Sequence, residues 1–303
     1  MAADPVRVIL DCDTANEIDD QFAIAYALGC ESLDVLGVVS VHNTLVHGPD
    51  SVGIYQEEAA RVVELAGRAG LPCPWGAAGP MEDRFSPVRS EGLDFIIEAA
   101  HHGPVLVLAT GPATDIAALG LVAPELRDRF EVTWAGAFPD EPTWQREKFG
   151  ELNARADIQA WRALYASDLP LRILPGWPGV ETVAVDWPTC VTRLQALDSP
   201  APAYLAEILT TYSEARGEVL DMDKRDQQGQ EKVIWDIVNV AAVHVPEVVG
   251  WVDRLLPTID AAGAPDYSRP VRAVPLGLEV DAELVLEDMW RALGNLPRTC
   301  SDR

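Results

Sequence analysis

Val6-Arg7-Val8-Ile9-Leu10-Asp11-Cys12-Asp13, then Thr14-Ala15-Asn16-Glu17-Ile18, then Asp19-Asp20-Gln21-Phe22-Ala23-Ile24-Ala25-Tyr26-Ala27-Leu28: this stretch decides the fold. Its opening residues are a short β-branched run that reads as a strand. Its closing residues read as a helix whose first turn is acidic. Four aspartates therefore sit between the end of one strand and the start of the next helix. Asp11 and Asp13 lie two apart on extended chain and point the same way, whereas Cys12 points the opposite way as a buried thiol.

The alternation continues outward. Leu36 to Val41 predicts a second strand and Ser51 to Ala69 a long helix. Val105-Leu106-Val107-Leu108-Ala109 predicts a buried strand, broken by Thr110-Gly111-Pro112 and followed by a helix from Thr114 to Leu121. Another strand is expected near Glu131 to Trp134, a helix over Ala156 to Ala166 and a strand near Leu171 to Leu174. The last third reads as more helical, over about 200–216, 233–245 and 281–293. Such alternation implies an α/β fold: an open, mostly parallel sheet with helices on both faces. Ligands bind such sheets beyond the carboxyl ends of the strands. Asp11/Asp13, His42/Asn43 and Thr110 all follow strands, as that rule asks. No repeat, low-complexity tract or linker-like block divides the chain, so a single domain over 1–303 is expected.

Bulk composition narrows the function. Asp and Glu number 48 against 23 Lys and Arg, a net charge of −25 that repels nucleic acid and other polyanions. Neutral or cationic ligands and divalent metals are favoured, although acidic surfaces also serve plain solubility. No apolar run reaches the roughly 18 residues of a membrane span, and the N-terminus lacks a basic segment leading into an apolar core. The five cysteines (12, 30, 73, 190 and 300) are scattered, with neither a disulfide framework nor a zinc spacing, which suits a reducing cytoplasm.

Asp11, Asp13, Asp19 and Asp20 would repel one another strongly unless something cationic neutralised them, and hard carboxylate oxygens select Ca2+ or Mg2+. As an N-cap, Asp19 or Asp20 alone has a purely structural reading; all four together do not. Asp11-x-Asp13 after an apolar strand also resembles the phosphatase motif of haloacid dehalogenase-like enzymes. Those need a Lys and a late acidic pair. This chain has only Lys148, Lys224 and Lys232, and its acidic pair follows at once.

Over most of its length the chain better resembles the nucleoside hydrolase family, which opens with a strand and an Asp-x-Asp-Pro-Gly-x-Asp-Asp signature. Asp11-Cys12-Asp13 matches its start and Asp19-Asp20 its end, but Thr14 to Ile18 gives five intervening residues and loses the Pro-Gly turn, so Asn16 or Glu17 could add a contact. Ser40-Val41-His42-Asn43 resembles the strand ending in a substrate-contacting Asn. Ala109-Thr110-Gly111-Pro112-Ala113-Thr114-Asp115-Ile116-Ala117 resembles the family's Thr-Gly-Pro motif. Glu151-Leu152-Asn153, followed by Asp157, resembles its ribose-gripping segment, and Trp235-Asp236 falls where the family places His-Asp or a variant.

The resemblance implies a Rossmann-like core, a homodimer or homotetramer, a nucleoside or other N-riboside as substrate, and Ca2+. Asp13, Asp20, Asp236 and the Thr110 carbonyl would hold the ion, with Asp13 as general base and Asp11 in support. Asp19 would accept from a ribose hydroxyl, and Asn43, Glu151 and Asn153 would bind the sugar. Trp235 is the main departure. An indole cannot titrate, so it either stacks on the base, favouring purine ribosides, or only packs. Trp134 and His42 are further candidate lining residues; Trp75, Trp144 and Trp177 are alternatives, each with a core reading. His47, His101, His102 and His244 carry no assigned role. Gly217 to Lys232 reads as a polar mobile loop that closes over substrate or as a plain solvated one. The rival to an enzyme is a non-catalytic homologue that binds a ribosyl ligand or serves as an interaction protein.

Overall fold

The structure is a computed structural model that describes residues 4–215 and 231–298. Its first strand, β1 (Val6–Cys12), runs into α1 (Asp19–Gly29) and then β2 (Leu33–Ser40). The chain continues through α2 (Ser51–Leu65), α3 (Glu91–His101), β3 (Val105–Ala109), α4 (Thr114–Val122) and β4 (Phe130–Ala135). Then come α5 (Glu141–Glu147), α6 (Asn153–Ala156), α7 (Ile158–Ala166), β5 (Leu171–Leu174), β6 (Ala184–Asp186), α8 (Trp187–Gln195) and α9 (Pro200–Ala215). The rest is β7 (Glu231–Val233), α10 (Ile237–His244), β8 (Val249–Ile259), β9 (Pro265–Val280) and α11 (Ala282–Leu293).

Seven strands form one sheet in the order β2-β1-β3-β4-β5-β9-β8, and β6 pairs antiparallel with β7 apart from it. The β1–β2, β1–β3, β3–β4, β4–β5 and β5–β9 pairings are parallel. Strand order therefore reverses between β1 and β3, and the carboxyl ends of those two strands splay their following loops around a crevice. Asp11–Ala109 is the last registered pair there, so Asp13 and Thr110 begin that crevice.

Both sheet faces are covered. Val8, Leu10, Leu106 and Leu108 pack with α1, α2, α9, α10 and α11 on one side. Ile9, Val105, Val107, Val132 and Trp134 pack with α3, α4 and α7 on the other. Burial on both faces is why these strands read as unbroken apolar runs rather than alternating ones.

Helix α2 stops at Leu65, short of the expected Ala69, because Gly67 takes a left-handed φ of +77° and closes the helix C-terminus. Helix α10 starts later than 233 because residues 231–233 are drawn into the β6–β7 pair. Besides its helices, the last third holds the antiparallel β8–β9 hairpin. Pro257, Pro265, Pro270 and Pro275 hide that hairpin in the sequence; Pro257 sits on the edge strand β8, where proline is tolerated, and the other three lie on β9 ahead of Leu276, its registered partner to β5. Of the stretch expected to be a mobile loop, residues 217–230 lie outside the described residues. Among the described residues no helix is long and apolar enough to cross a membrane.

Helices α1 and α11 approach so closely that a Cβ on Gly29 would lie 2.2 Å from the Ala292 carbonyl oxygen. Gly29→Ala should therefore cost about 1–3 kcal/mol through overpacking, read as a lower urea midpoint with an unchanged slope. An unchanged midpoint would mean the two helices are not in backbone contact.

Candidate active site

Asp13 follows β1, and its carboxylate is gripped on one oxygen. Asn43 Nδ2 donates to Oδ2 at 2.7 Å and Asn16 Nδ2 at 3.2 Å. Asn16 reaches it because the five-residue loop turns back on itself: its backbone N–H donates to the Asp13 carbonyl at 2.9 Å, and Ala15 takes a φ of 87°. Asp19 and Asp20 occupy the first turn of α1, but the N-cap is Ile18 and no side chain caps the helix. Neither aspartate is consumed as a cap. Asp236 stands at the N-cap of α10 and likewise makes no capping bond. Carboxylate oxygens of Asp19, Asp20 and Asp236 lie within 4.8 Å of one another, so two helix N-termini meet acid to acid.

Thr110, following β3, closes the group. Its hydroxyl donates to Asp20 Oδ1 at 2.6 Å, and its carbonyl accepts from Asn153 Nδ2, also at 2.6 Å. Asn153 donates in addition to the Ala135 carbonyl at 2.9 Å. Glu151 accepts from the backbone N–H of Ala154 at 2.9 Å and of Ala137 at 3.2 Å. These residues line one cleft of about 820 Å³, solvent at its mouth included, together with Glu17, Asn239, Trp177 and Trp235. The two indoles meet edge to face on its wall, ring centroids 5.4 Å apart.

Of the sequence candidates, Asp13, Asp19, Asp20, Thr110, Glu151, Asn153, Trp235 and Asp236 converge on that cleft. Asp11, Asn43, His42 and Trp134 are not among the residues lining it. Asn43 lies behind, holding Asp13. Asp11 is fully buried with no hydrogen-bond partner for either oxygen, and faces Asp115 of α4. His42 Nε2 is 3.0 Å from the Thr114 hydroxyl, and burial lowers its pKa to about 4. Trp134 is a core residue whose indole N–H donates to the Gly111 carbonyl at 3.0 Å.

Two contributors escape sequence reading. Asn239 of α10 donates to the carbonyls of Ala109 at 3.0 Å and Thr133 at 3.3 Å, tying that helix to the ends of β3 and β4. Lys232 buries its ammonium and reaches Glu17 Oε2 at 2.6 Å, bracing the long loop. Trp177, one of the alternative stacking residues offered by the sequence, does line the cleft, from the segment after β5. A lone Asn in an apolar helix and a Lys in a polar stretch carry no sequence signal for these roles.

The electrostatics follow from burial. Desolvation first, and neighbouring carboxylates second, push Asp11, Asp13 and Asp236 well above the ordinary carboxylate range. Asp20 is also raised by burial, offset in part by the Thr110 hydrogen bond. Burial raises Asp19 to about 7 although Lys232 pulls it down, and burial raises Glu151 to about 7. Alone, this group favours protonated acids. A hard divalent cation among the oxygens reverses the preference. The donor set of carboxylates and one backbone carbonyl fits a hard, oxygen-ligated ion such as Ca2+ or Mg2+.

The sequence profile described as "Inosine-uridine preferring nucleoside hydrolase" matches residues 8–287. The chain is 25% identical over 272 residues to the pyrimidine-specific ribonucleoside hydrolase RihA of Shewanella oneidensis, spanning 81% of this chain and 77% of that one. Its fold is similar to that of a purine-preferring ribonucleoside hydrolase from Gardnerella vaginalis, with a TM-score of 0.74, 20% identity, and 95% and 98% of the two chains covered. It is also similar to an inosine-uridine preferring nucleoside hydrolase from Bacillus anthracis, with a TM-score of 0.70, 13% identity, and 96% and 100% covered.

An acid raised to about 7 in the folded state holds more protons than the unfolded chain above its ordinary pKa of about 4. Folding stability then falls as pH rises through that window. Chelator-treated protein should melt lower at about pH 7.5 than at about pH 5, and Glu151→Gln should reduce the drop. A melting temperature that climbs over that range would contradict the burial of these acids.

Proposed function

The chain belongs to the inosine-uridine preferring nucleoside hydrolase family, and from that premise we propose a Ca2+-dependent N-ribohydrolase that favours purine or other good-leaving-group ribosides. The observation that carries this is that Asp13, Asp20, Asp236 and Thr110 line one cleft with Glu151, Asn153 and a pair of tryptophans, where carboxylate oxygens of Asp20 and Asp236 lie within 4.8 Å of each other and of Asp19.

Asp13, Asp20, Asp236 and the Thr110 carbonyl would hold the ion. Bound Ca2+ supplies a positive charge that gathers water and the ribose hydroxyls and keeps the surrounding carboxylates ionised. Asp13 is the general base toward the attacking water. Asn43 and Asn16 both donate to its Oδ2, which fixes the orientation of the carboxylate. Asp11 stands behind as a buried acid that shapes the local charge. Asp19 accepts from a ribose hydroxyl. Asn153 spends its amide protons on two backbone carbonyls, so its side-chain oxygen is the acceptor for the sugar. Glu151, clamped by two backbone N–H groups, offers a fixed acceptor beside it.

The departing base sets the preference. Among the described residues no histidine lines the cleft. The indoles of Trp177 and Trp235 cannot donate a titrating proton, but they present faces against which a base stacks. A purine can take its proton from solvent while stacked. A uracil has no such route.

Release of ribose from a panel of nucleosides, with and without Ca2+, tests the activity. Turnover that needs Ca2+ and is faster on purine ribosides than on uridine or cytidine is expected. No release from any member would favour a ligand-binding homologue, and a preference for uridine would overturn the leaving-group argument. Calorimetry should find Ca2+ binding lost in Asp20→Ala and kept in Thr110→Ser; unchanged affinity in Asp20→Ala would remove the assignment of the ion.

Trp235→Ala should depress kcat on purine ribosides and matter much less for a nitrophenyl riboside, whose phenolate leaves unaided. Equal losses on both would mark Trp235 as a packing residue.

A further inference from the structure

Helices α1 and α10 pack side by side, and both pack on α11. Their N-terminal ends carry Asp19, Asp20 and Asp236. Their C-terminal ends carry a second, chemically different group. Cys30 is the residue that ends α1, His244 is the last residue of α10, and Asp288 comes from the middle of α11. Their donor atoms lie within 4.8 Å of one another. Cys30 and Asp288 are buried, and the His244 side chain is 22% exposed, which leaves an entry path.

The neighbouring contacts arrange these donors, of which only His244 and Asp288 come within ion-pair distance of each other and none share a hydrogen bond. His244 Nδ1 bonds the Ser32 hydroxyl. When that nitrogen donates, Nε2 keeps its lone pair, and it faces Asp288 Oδ2 at 3.6 Å, too far for a hydrogen bond. The other Asp288 oxygen accepts from Arg291 at 2.8 Å, which fixes the carboxylate, and the Tyr26 hydroxyl donates to Oδ2 at 2.5 Å. The Cys30 thiol meets only the Tyr26 carbonyl, at 3.2 Å, among the described residues. A sulfur, an imidazole nitrogen and a carboxylate oxygen thus surround a point that none of them fills. An imidazole locked through its second nitrogen is how protein metal ligands are oriented.

We propose that Cys30, His244 and Asp288 form a zinc-binding site that ties the C-terminal ends of α1 and α10 to α11. Sulfur and imidazole donors select Zn2+ over Ca2+ and Mg2+, which want oxygen. On binding, the thiol releases its proton to solvent as the sulfur–zinc bond forms. Thiolate, carboxylate and neutral imidazole then balance the two positive charges. Three protein ligands leave a fourth tetrahedral position for water. The ligands come from three distant segments, so no cysteine spacing announces the site.

Co2+ is the probe, added to chelator-treated full-length protein in saturating Ca2+ so that the carboxylate cleft is occupied. One equivalent should produce a near-ultraviolet thiolate-to-cobalt band that Zn2+ abolishes and that Cys30→Ser lacks. Zn2+ should raise the melting temperature of the wild type and not of His244→Gln, a partly exposed change that serves if Cys30→Ser fails to fold. Ser32→Ala should weaken Zn2+ about tenfold. No band in the wild type, a band that survives in Cys30→Ser, or unchanged Zn2+ affinity in His244→Gln would each overturn the site.

Discussion

Five aspartates buried in or behind one crevice repel each other, and the rest of the site answers to that repulsion. Asp11, Asp13, Asp19, Asp20 and Asp236 are each less than a tenth exposed. Among the described residues the ammonium that acts on Asp19, Lys232, also pairs with Glu17, so one ion pair cannot settle all five. Hydrogen bonds from Thr110, Asn43 and Asn16 soften the cost at two of them. On the proposed reading a hard cation would resolve the remainder, and the same charge would then serve chemistry on the sugar. Stability and catalysis are in this way bound to one electrostatic requirement.

Topology supplies the convergence. The reversal of strand order between β1 and β3 opens a crevice at their carboxyl ends, which brings Asp13 and Thr110 together. Helices α1 and α10 then aim their N-termini at it, where the backbone N–H groups favour negative charge. Asn239 pins α10 to β3 and β4, so the distance from Asp236 to the strand ends is set by hydrogen bonds from its side-chain amide to backbone carbonyls as well as by packing.

Much of this was legible in the chain because it is local. A strand that runs into Asp-x-Asp, with Asp-Asp at the next helix start, is readable in one pass. Glu151 and Asn153 are close neighbours and followed from resemblance. Direction was harder to read than position. His42, Asn43 and Trp134 stand at strand ends, where one residue of rotation decides between cleft and core, and all three turn away from the lining. Long-range partners left no trace: Glu17 and Lys232 meet only because β7 pairs with β6. The β8–β9 hairpin was hidden by prolines and charges that an exposed sheet edge tolerates.

A crystal structure of the protein with Ca2+ and a slowly cleaved riboside tests the central claim most directly. The account predicts one ion with Asp13, Asp20, Asp236 and the Thr110 carbonyl at about 2.3–2.6 Å, the ribose between it and Glu151 and Asn153, and the base against Trp235. An ion bound elsewhere, or a riboside seated without one, would contradict it.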